Sequence, residues 1–408
     1  MSTNLKRNHA LVLILIPVAA LGQLSMDMYL PALKSLQAGM RATASEIQLT
    51  LSAFVVCLGV SQFAVGELAR SIGRGRAILI ALIAFVAATA GCALTSEIRV
   101  FIACRAIQGI TTAVCVALSY AAITDNAQDS QQSMRGVTAL TVCSMISPLI
   151  APVVGSQLLQ FSGSWRSVFL LLLGLSLAVL LLFCVQPTGR FDARAPAAPT
   201  PGRTAYLAIV GSSRFWRYAV LCSIGTTINF CFVSFLPGIL LVQHAVTQNV
   251  FSAALVSCAL AEIVGALLAP RLSKRIGLPG LAGLACVCCA LGGAGVTYFS
   301  TVPDAVARVV AAFALVELGT GMLIAPCFSA ALYLFRSTSN EASSICGFQQ
   351  FVIAAGMATL ATAMQWQSGD ALGTLIVAAA LVGAAICCTL PGEADAGLQG
   401  AQSPAGSE

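Results

Sequence analysis

The stretch AILIALIAFVAATAGCALT, residues 77–95, decides the fold class of this chain. It runs for nineteen residues without a charged side chain. An α-helix needs about 20 mostly apolar residues to cross a bilayer. The apolar side chains follow one another without the strict alternation of a barrel strand. The stretch is therefore predicted to be a membrane-spanning helix.

Stretches of the same kind recur along the whole chain. Of its 408 residues, 58% are hydrophobic and 9% are charged, whereas a soluble domain carries about 25% charged residues. In lipid, the backbone can satisfy its hydrogen bonds only in helices or closed barrels. The chain is therefore predicted to be an all-α integral membrane protein with twelve transmembrane helices. They are placed near residues 10–30, 47–66, 77–95, 98–123, 136–160, 167–186, 216–241, 251–270, 279–299, 305–333, 343–364 and 371–390.

The longest polar interruption separates the sixth stretch from the seventh. Its sequence, QPTGRFDARAPAAPTPGRTAY at 186–206, contains prolines that cannot continue a helix, and its composition is typical of a linker. Six stretches on each side indicate two six-helix halves, an arrangement that places a substrate site near the midplane between them. The predicted units are an N-terminal half at 1–186, a cytoplasmic linker at 187–214, a C-terminal half at 215–391 and a disordered cytoplasmic tail at 392–408.

Lysine and arginine concentrate in alternate loops. The loops on the side of the N-terminus hold most of the 21 basic residues, and GELARSIGRGR at 66–76 is one of them. The opposite loops hold only Lys34, Arg41, Arg99 and Arg166. By the positive-inside rule, both termini are predicted to be cytoplasmic. Short loops and a high alanine content favour a bacterial protein, so the predicted location is the inner (cytoplasmic) membrane.

A few charged residues fall inside the predicted spans, where charges are costly and by default indicate function. A carboxyl group removed from water can hold and release a proton near neutral pH, so Asp27 is the first candidate for proton coupling. The alternative is a fixed structural pair between Asp27 and Arg105. Glu317 is a second candidate, for a proton or for substrate, while Glu262 could instead cap or pair locally. Arg105 cannot lose its proton, so it could hold a carboxylate, bind an anionic group or serve a structural role.

Two further sets of residues are candidates for the transport pathway. In the fifth span, Pro148, Pro152 and Gly155 predict a kinked helix, which suits either close packing or a gating hinge. Aromatic and methionine side chains could form a permissive apolar cavity, and amides could bind a polar cargo. The substrate-cavity candidates are Met26, Tyr29, Tyr120, Asn229, Phe232 and Gln349.

Four short motifs resemble those of one transporter family. DMYLPAL at 27–33, RAIQG at 105–109, APVVGS at 151–156 and SWRSVF at 164–169 resemble motifs of the major facilitator superfamily, in helices one, four, five and six. More narrowly, the chain is similar to the Bcr/CflA group of proton-coupled drug exporters. In that family the arginine matching Arg105 is implicated in proton coupling, and the motif matching 151–156 is the antiporter motif.

The resemblance implies a proton-coupled secondary transporter that exports a drug-like organic molecule. A dedicated exporter of an endogenous metabolite, such as a siderophore, is the alternative. The implied energy source is the proton gradient, with no cofactor and no metal. The implied partners are a small-molecule substrate and the lipid bilayer, with no nucleic acid, and the family expectation is a monomer.

Other function classes have little basis in the sequence. A membrane-embedded enzyme would need a nucleophile–base pair or a metal cluster, and the chain has only two histidines, His9 and His244. The cysteines of CVCC at 286–289 have no histidine or carboxylate nearby, so they are interpreted as packing residues. ATP-driven transport would need a phosphate-binding loop, which the sequence lacks. A non-transporting sensor is the remaining class, and only the altered loop described next favours it.

The loop GELARSIGRGR departs from the family pattern G-x-L-x-D-R-x-G-R-[KR]. Gly66, Gly73 and Arg74 match, but Arg70 stands in place of the aspartate. In the family that aspartate is thought to latch the two halves in one state. Glu67 lies three residues before Arg70, on the same helical face. The hypothesis is that Glu67 takes over the latch; the alternative is a weak latch with a shifted balance of states.

Overall fold

The computed structural model describes residues 2–126, 130–185, 203–335, 338–366 and 368–390, and almost all of them are helical. The first half contains α1 (Ser2–Asp27), a 3₁₀ turn (Leu30–Ala32), α2 (Leu33–Met40), α3 (Ala44–Ile72), α4 (Arg74–Leu94), α5 (Ile98–Asn126), α6 (Ser130–Ser162) and α7 (Arg166–Cys184). The second contains α8 (Arg203–Val210), α9 (Ser213–Pro237), a π-helical turn (Gly238–Gln243), α10 (Gln248–Phe299), α11 (Val306–Tyr333), α12 (Ser339–Ala363) and α13 (Gly369–Cys387).

Eleven of the described helical segments are long and apolar enough to cross a membrane. One of them, α10, is 52 residues long and bends at Gly277, whose backbone has φ 68° and ψ 170°. A helix of that length would measure about 78 Å, far more than the roughly 30 Å of a bilayer core. The two arms of α10 are therefore separate spans, which gives twelve spans and confirms the predicted all-α membrane fold.

The same turn joins the second and third spans of each half. Gly73, between α3 and α4, has φ 85° and ψ 151°, close to the values at Gly277. Residues other than glycine rarely adopt this positive φ angle. The loop that departs from the family pattern thus keeps the glycine that its backbone requires, and the second half repeats the turn.

The first span is broken where its carboxylate lies. The apolar segment runs from Leu11 to Met40, but regular helix stops at Asp27, and Pro31 lies in the 3₁₀ turn that follows. Proline removes a backbone donor and cannot continue a helix. Asp27 therefore lies at a helix end, and its side chain is buried.

Glycines allow the fourth span of each half to touch the second. A Cβ atom on Gly109 of α5 would lie 2.1 Å from the carbonyl oxygen of Phe54 on α3. In the second half, a Cβ on Gly321 of α11 would lie 2.1 Å from the carbonyl oxygen of Glu262 on α10. Small residues permit such close helix contacts in membranes. Arg105 and Glu317 each lie four residues before these glycines, in equivalent places of the two halves.

Replacing Gly109 with alanine is expected to destabilise the protein by about 1–3 kcal/mol, because the new methyl group meets backbone rather than a movable side chain. Gly66→Ala is the matched control, since a Cβ there meets nothing within 4 Å. Thermal unfolding in detergent measures both variants. Equal stability of the two would contradict the close contact between α5 and α3.

The two halves contact each other mainly at one end of the bundle. Hydrogen bonds between uncharged side chains join them there: Thr359 to Ser52 at 2.8 Å, Ser156 to Ser252 at 2.5 Å and Gln160 to Asn249 at 2.8 Å. Helices α3 and α12 stay in contact farther along, where Gly59 faces Phe351 and the Ser344 hydroxyl donates to the carbonyl oxygen of Gln62 at 3.4 Å. The contacts of α6 with α10 lie at the end opposite the start of α1.

The predicted linker and tail are only partly described. Helix α8 lies inside the range 187–214 that was assigned to the linker. Residues 186–202 and 391–408 lie outside the described part of the chain. The domain boundaries and the cytoplasmic tail therefore stay predictions.

Candidate functional site

A cavity of about 440 Å³ lies between the two halves. Its first wall comes from α1, α3, α5 and α6, and its second from α9, α10, α11 and α12. Apolar side chains dominate the lining, and among them are Phe54, Phe230, Phe232 and Phe351. Such a mostly apolar pocket with a few polar groups is the usual form of a small-molecule site.

Asp27 is the acidic group of the first wall. Its side chain is 6% exposed and lines the cavity. Gln23, four residues earlier on α1, donates a hydrogen bond to Oδ2 at 3.2 Å and a longer one to Oδ1 at 3.4 Å. Ser147 of α6 donates to Oδ2 at 3.0 Å. Uncharged donors therefore hold this carboxylate.

Arg105 is fully buried next to this wall but does not line the cavity. Its Nη1 donates to Gln108 Oε1 at 2.8 Å and to the carbonyl oxygen of Ser25 at 3.3 Å. The guanidinium lies 4.6 Å from the ring centre of Tyr29 and 4.5 Å from that of Phe54. In the described part of the chain it makes no ion pair with Asp27. The structural pair weighed in the sequence analysis is thus not formed in this conformation.

Two more carboxylates line the second wall. Glu317 of α11 is 1% exposed, and its Oε2 accepts hydrogen bonds from Asn229 at 2.8 Å and Thr320 at 3.1 Å. The second is Glu262 of α10. The close contact of α10 and α11 at Gly321 brings these two acids together. Lysine, arginine and histidine are absent from the described residues that line the cavity.

The candidate cavity residues divide into two groups. Met26, Asn229 and Phe232 lie on the cavity wall. Tyr29, Tyr120 and Gln349 do not; Tyr29 instead packs on Arg105 and shares a 3.1 Å hydrogen bond with Thr50.

Several wall residues escaped the sequence reasoning. Gln23 could have been found, because residues four apart on a helix share a face. Thr112 and Phe54 line the wall from other helices, and Ser147 donates to Asp27 from α6 without lining the cavity. No local signal assigns these three residues to the site.

The candidate hinge residues of α6 lie beside the cavity. Pro148 and Pro152 line it directly. Gly155 lets α6 approach the turn after α1, because a Cβ there would lie 2.0 Å from the carbonyl oxygen of Met28. The three residues thus connect the Asp27 region with the closed end of the bundle, and a hinge role for them stays a prediction.

In the last turns of α3, Glu67 contacts Arg70, three residues further along the same helix. Arg70 Nη2 lies 2.5 Å from Glu67 Oε2, and the two side chains are 40% and 68% exposed. Exposed ion pairs of this kind contribute little to stability. Gly66 has open space beside it, and Arg74 begins α4. Among the described residues, the partner of Glu67 is Arg70 of its own helix and not a residue of the second half, so the latch hypothesis stays a prediction.

If Glu67 is the latch, Glu67→Gln should reduce transport several-fold and more than Arg70→Ala does. The reason is that the carboxylate would bind the other half in the alternate state, whereas Arg70 only neutralises it. Transport rates at equal expression measure both variants. Equal or reversed effects would reject the latch role.

Comparison with known proteins identifies relatives over most of the chain. The sequence profile of the Major Facilitator Superfamily matches residues 15–361. The chloramphenicol resistance protein of Pseudomonas aeruginosa is 30% identical over 281 residues, which are 68% of this chain and 66% of that protein. Multidrug resistance protein D of Escherichia coli (strain K12) is 26% identical over 95% of this chain and 96% of its own length.

Solved structures agree with this assignment at the level of the fold. A D-xylose–proton symporter superimposes with a TM-score of 0.74 at 14% identity, over 92% of this chain and 97% of that one. A bacterial homologue of the lysosomal transporter Spinster gives a TM-score of 0.67 at 14% identity, over 95% and 94%. With twelve spans in the same arrangement and a profile match across both halves, this chain belongs to the Major Facilitator Superfamily of membrane transporters.

Proposed function

We propose that this protein exports a drug-like small molecule across the bacterial inner membrane in exchange for protons. The observation that carries the proposal is the position of Asp27, a buried carboxylate on the wall of the cavity between the halves. Charged residues inside a membrane protein are costly and commonly form proton relays. Asp27 supplies a proton site in the compartment where cargo would bind.

The surroundings of Asp27 suit proton exchange. Gln23 and Ser147 donate hydrogen bonds that support the ionised form without neutralising its charge. Arg105 is bound to other groups and forms no ion pair with Asp27. The charge of Asp27 can therefore be neutralised by a proton. Cargo and proton would then compete within one cavity, which is the basis of antiport.

The orientation in the membrane is inferred from the loop charges. The basic loops and the start of α1 lie at the end of the bundle opposite the contacts of α6 with α10. By the positive-inside rule this end would face the cytoplasm, with both termini on that side. Export rather than import is proposed because relatives are named as resistance proteins.

The cargo is proposed to be drug-like for two reasons: the cavity is largely apolar, and relatives of the chain are named as drug-resistance proteins. The chloramphenicol and multidrug resistance proteins are the named examples. The siderophore alternative gains no support from these relatives. An anionic cargo would also find no cationic side chain among the described cavity residues.

Uptake into proteoliposomes tests the proposal. With the transporter oriented cytoplasmic side out and an acidic lumen, chloramphenicol should accumulate, and a protonophore should abolish the accumulation. Equal uptake with and without the pH gradient would contradict proton coupling. If neither chloramphenicol nor a panel of amphipathic drugs accumulates, the drug-export function itself is wrong.

A further inference from the structure

Gln23 is the accessible polar side chain beside Asp27 on the cavity wall. It is an exposed residue that lines the cavity, whereas Asp27 is only 6% exposed. Both lie on α1, four residues apart, so they share one face of the helix. A molecule in the cavity therefore has much more of the Gln23 amide to contact than of the Asp27 carboxylate.

The two ends of the Gln23 amide are used differently. Nε2 donates to both carboxylate oxygens of Asp27, to Oδ2 at 3.2 Å and to Oδ1 at 3.4 Å. Within the described part of the chain, no group donates a hydrogen bond to the amide oxygen, Oε1. An amide oxygen is a hydrogen-bond acceptor, and Gln23 lies where cargo can reach it. While Asp27 is ionised, the first wall thus offers cargo an acceptor.

A proton on Asp27 reverses this pairing. Oδ2 already accepts a hydrogen bond from Ser147 at 3.0 Å, whereas Gln23 is the one donor to Oδ1 among the described residues. A protonated carboxyl group is itself a donor, so a proton on Oδ1 would point at the N–H group of Gln23. The last torsion of a glutamine side chain is broad and roughly two-fold, so the amide can turn over. Oε1 then accepts the carboxyl proton, and Nε2 faces the cavity.

We propose that Gln23 couples the proton to the cargo. Its amide oxygen binds a donor group of the cargo when Asp27 is ionised, and it binds the carboxyl proton when Asp27 is protonated. This rests on the proposed export function and specifies its substrate class: a neutral amphipathic molecule that carries an O–H or N–H group. Cargo and proton compete for one oxygen atom without both touching the carboxylate. Chloramphenicol fits this class, because it has hydroxyl and amide donors and no charged group.

The other ionisable groups around Asp27 are placed differently. Glu262 and Glu317 are the remaining titratable residues among the described residues that line the cavity, and they belong to the second wall. Arg105 and Tyr29 lie next to the first wall but do not line the cavity. Gln23 is therefore the accessible group through which a proton on Asp27 changes the hydrogen bonds offered to cargo.

Chloramphenicol binding to the purified full-length protein in detergent tests this coupling, because the drug has no group that titrates between mildly acidic and mildly alkaline pH. The wild type should bind it roughly fivefold more weakly at the acidic pH, the effect of about one neutral hydrogen bond. Gln23→Met keeps the length of the side chain but has no amide, so its affinity should be equal at the two pH values.

A second probe tests the substrate class. A chloramphenicol derivative that is acetylated on its hydroxyl groups and methylated on its amide nitrogen has no O–H or N–H donor. Its affinity for the wild type should not depend on pH, because it has no donor for the Gln23 oxygen. A wild-type pH dependence with this derivative would overturn the inference.

Asn229→Leu is the matched control, because Asn229 donates to a carboxylate of the second wall, Glu317, at 2.8 Å. Whatever its affinity, this variant should keep the wild-type ratio between the two pH values, and so should Glu317→Gln. Binding by the wild type that does not change with pH, or an unchanged ratio in Gln23→Met, would show that Gln23 does not couple proton and cargo. If Gln23→Met does not fold, as judged by its melting temperature, Gln23→Asn is the second variant, since its amide is shorter by a methylene group.

Binding and transport separate this inference from the proposed function. If the wild type shows a pH-dependent affinity that Gln23→Met lacks, yet vesicles accumulate no drug, the export proposal fails and the role of Gln23 stands. If chloramphenicol is exported in exchange for protons and Gln23→Met keeps the pH dependence, export stands and the role of Gln23 is wrong.

Discussion

Asp27→Asn is expected to reduce pH-driven drug accumulation to the level of vesicles without the protein. Asparagine has nearly the shape of aspartate and can still accept hydrogen bonds from Gln23 and Ser147. It cannot take up or release a proton, so the cavity loses the group that couples cargo to the gradient. Drug uptake and proton release from the same proteoliposomes, followed with a radiolabel and a pH-sensitive dye, measure the two fluxes together.

Two controls make the result specific. Ser147→Ala removes one donor to Asp27 but keeps the carboxylate, so coupled uptake should fall by only a few fold. Chloramphenicol binding to Asp27→Asn should persist, which shows that the cavity is intact. Full pH-driven uptake by Asp27→Asn would place the coupling proton elsewhere, and Glu317 would become the first candidate.

The fold could be predicted from the sequence because a bilayer restricts the possibilities. Apolar length alone placed the twelve spans, and the stretch at 77–95 lies almost wholly in α4 (Arg74–Leu94). The break after Asp27 was signalled by Pro31, since proline interrupts a helix wherever it lies. The turn at Gly277 is less obvious, because a glycine within a basic loop can equally continue a helix. Gly277 is recognised as a turn between two spans when its backbone angles are compared with those of Gly73 in the first half.

The site was predictable in its charged residues but not in their partners. Hydropathy shows that Asp27, Glu262 and Glu317 are charged exceptions in apolar helices, and the structure places all three on one cavity. Local sequence does not show which neighbouring helix meets each one. Arg105 illustrates this limit: opposite charge suggested Asp27 as its partner, yet backbone carbonyls, Gln108 and two aromatic rings surround it.

The direction of an aromatic side chain was equally beyond sequence reasoning. Met26 and Tyr29 are three residues apart, and in an unbroken helix they would share a face. Both side chains in fact contact Arg105, because its Nη2 donates to Met26 Sδ at 3.4 Å and its guanidinium lies over the Tyr29 ring. Of the two, only Met26 also lines the cavity.

Arg105→Lys is expected to remove most transport although the charge is kept. The guanidinium uses its planar shape: it lies over the rings of Tyr29 and Phe54, and its N–H groups reach Gln108 and backbone carbonyls in several directions. A lysine ammonium is compact and lacks the fork geometry, so it cannot make all of these contacts. Losing one hydrogen bond to a charged group costs about 1.5–3 kcal/mol, and the cost should lower the unfolding temperature as well.

Arg99→Lys is the matched control, because Arg99 lies on the same helix but is exposed. It should leave transport and stability unchanged within error.

The transport rate and the unfolding temperature of Arg105→Lys together define what Arg105 does. If Arg105→Lys lowers stability and transport together, the arginine acts by holding α1, α3 and α5 in register around Asp27. If transport is lost at wild-type stability, its role lies in the change between conformations, when the guanidinium must release these partners and meet others. Wild-type transport by Arg105→Lys would mean that positive charge alone is enough, and the geometric role would be wrong.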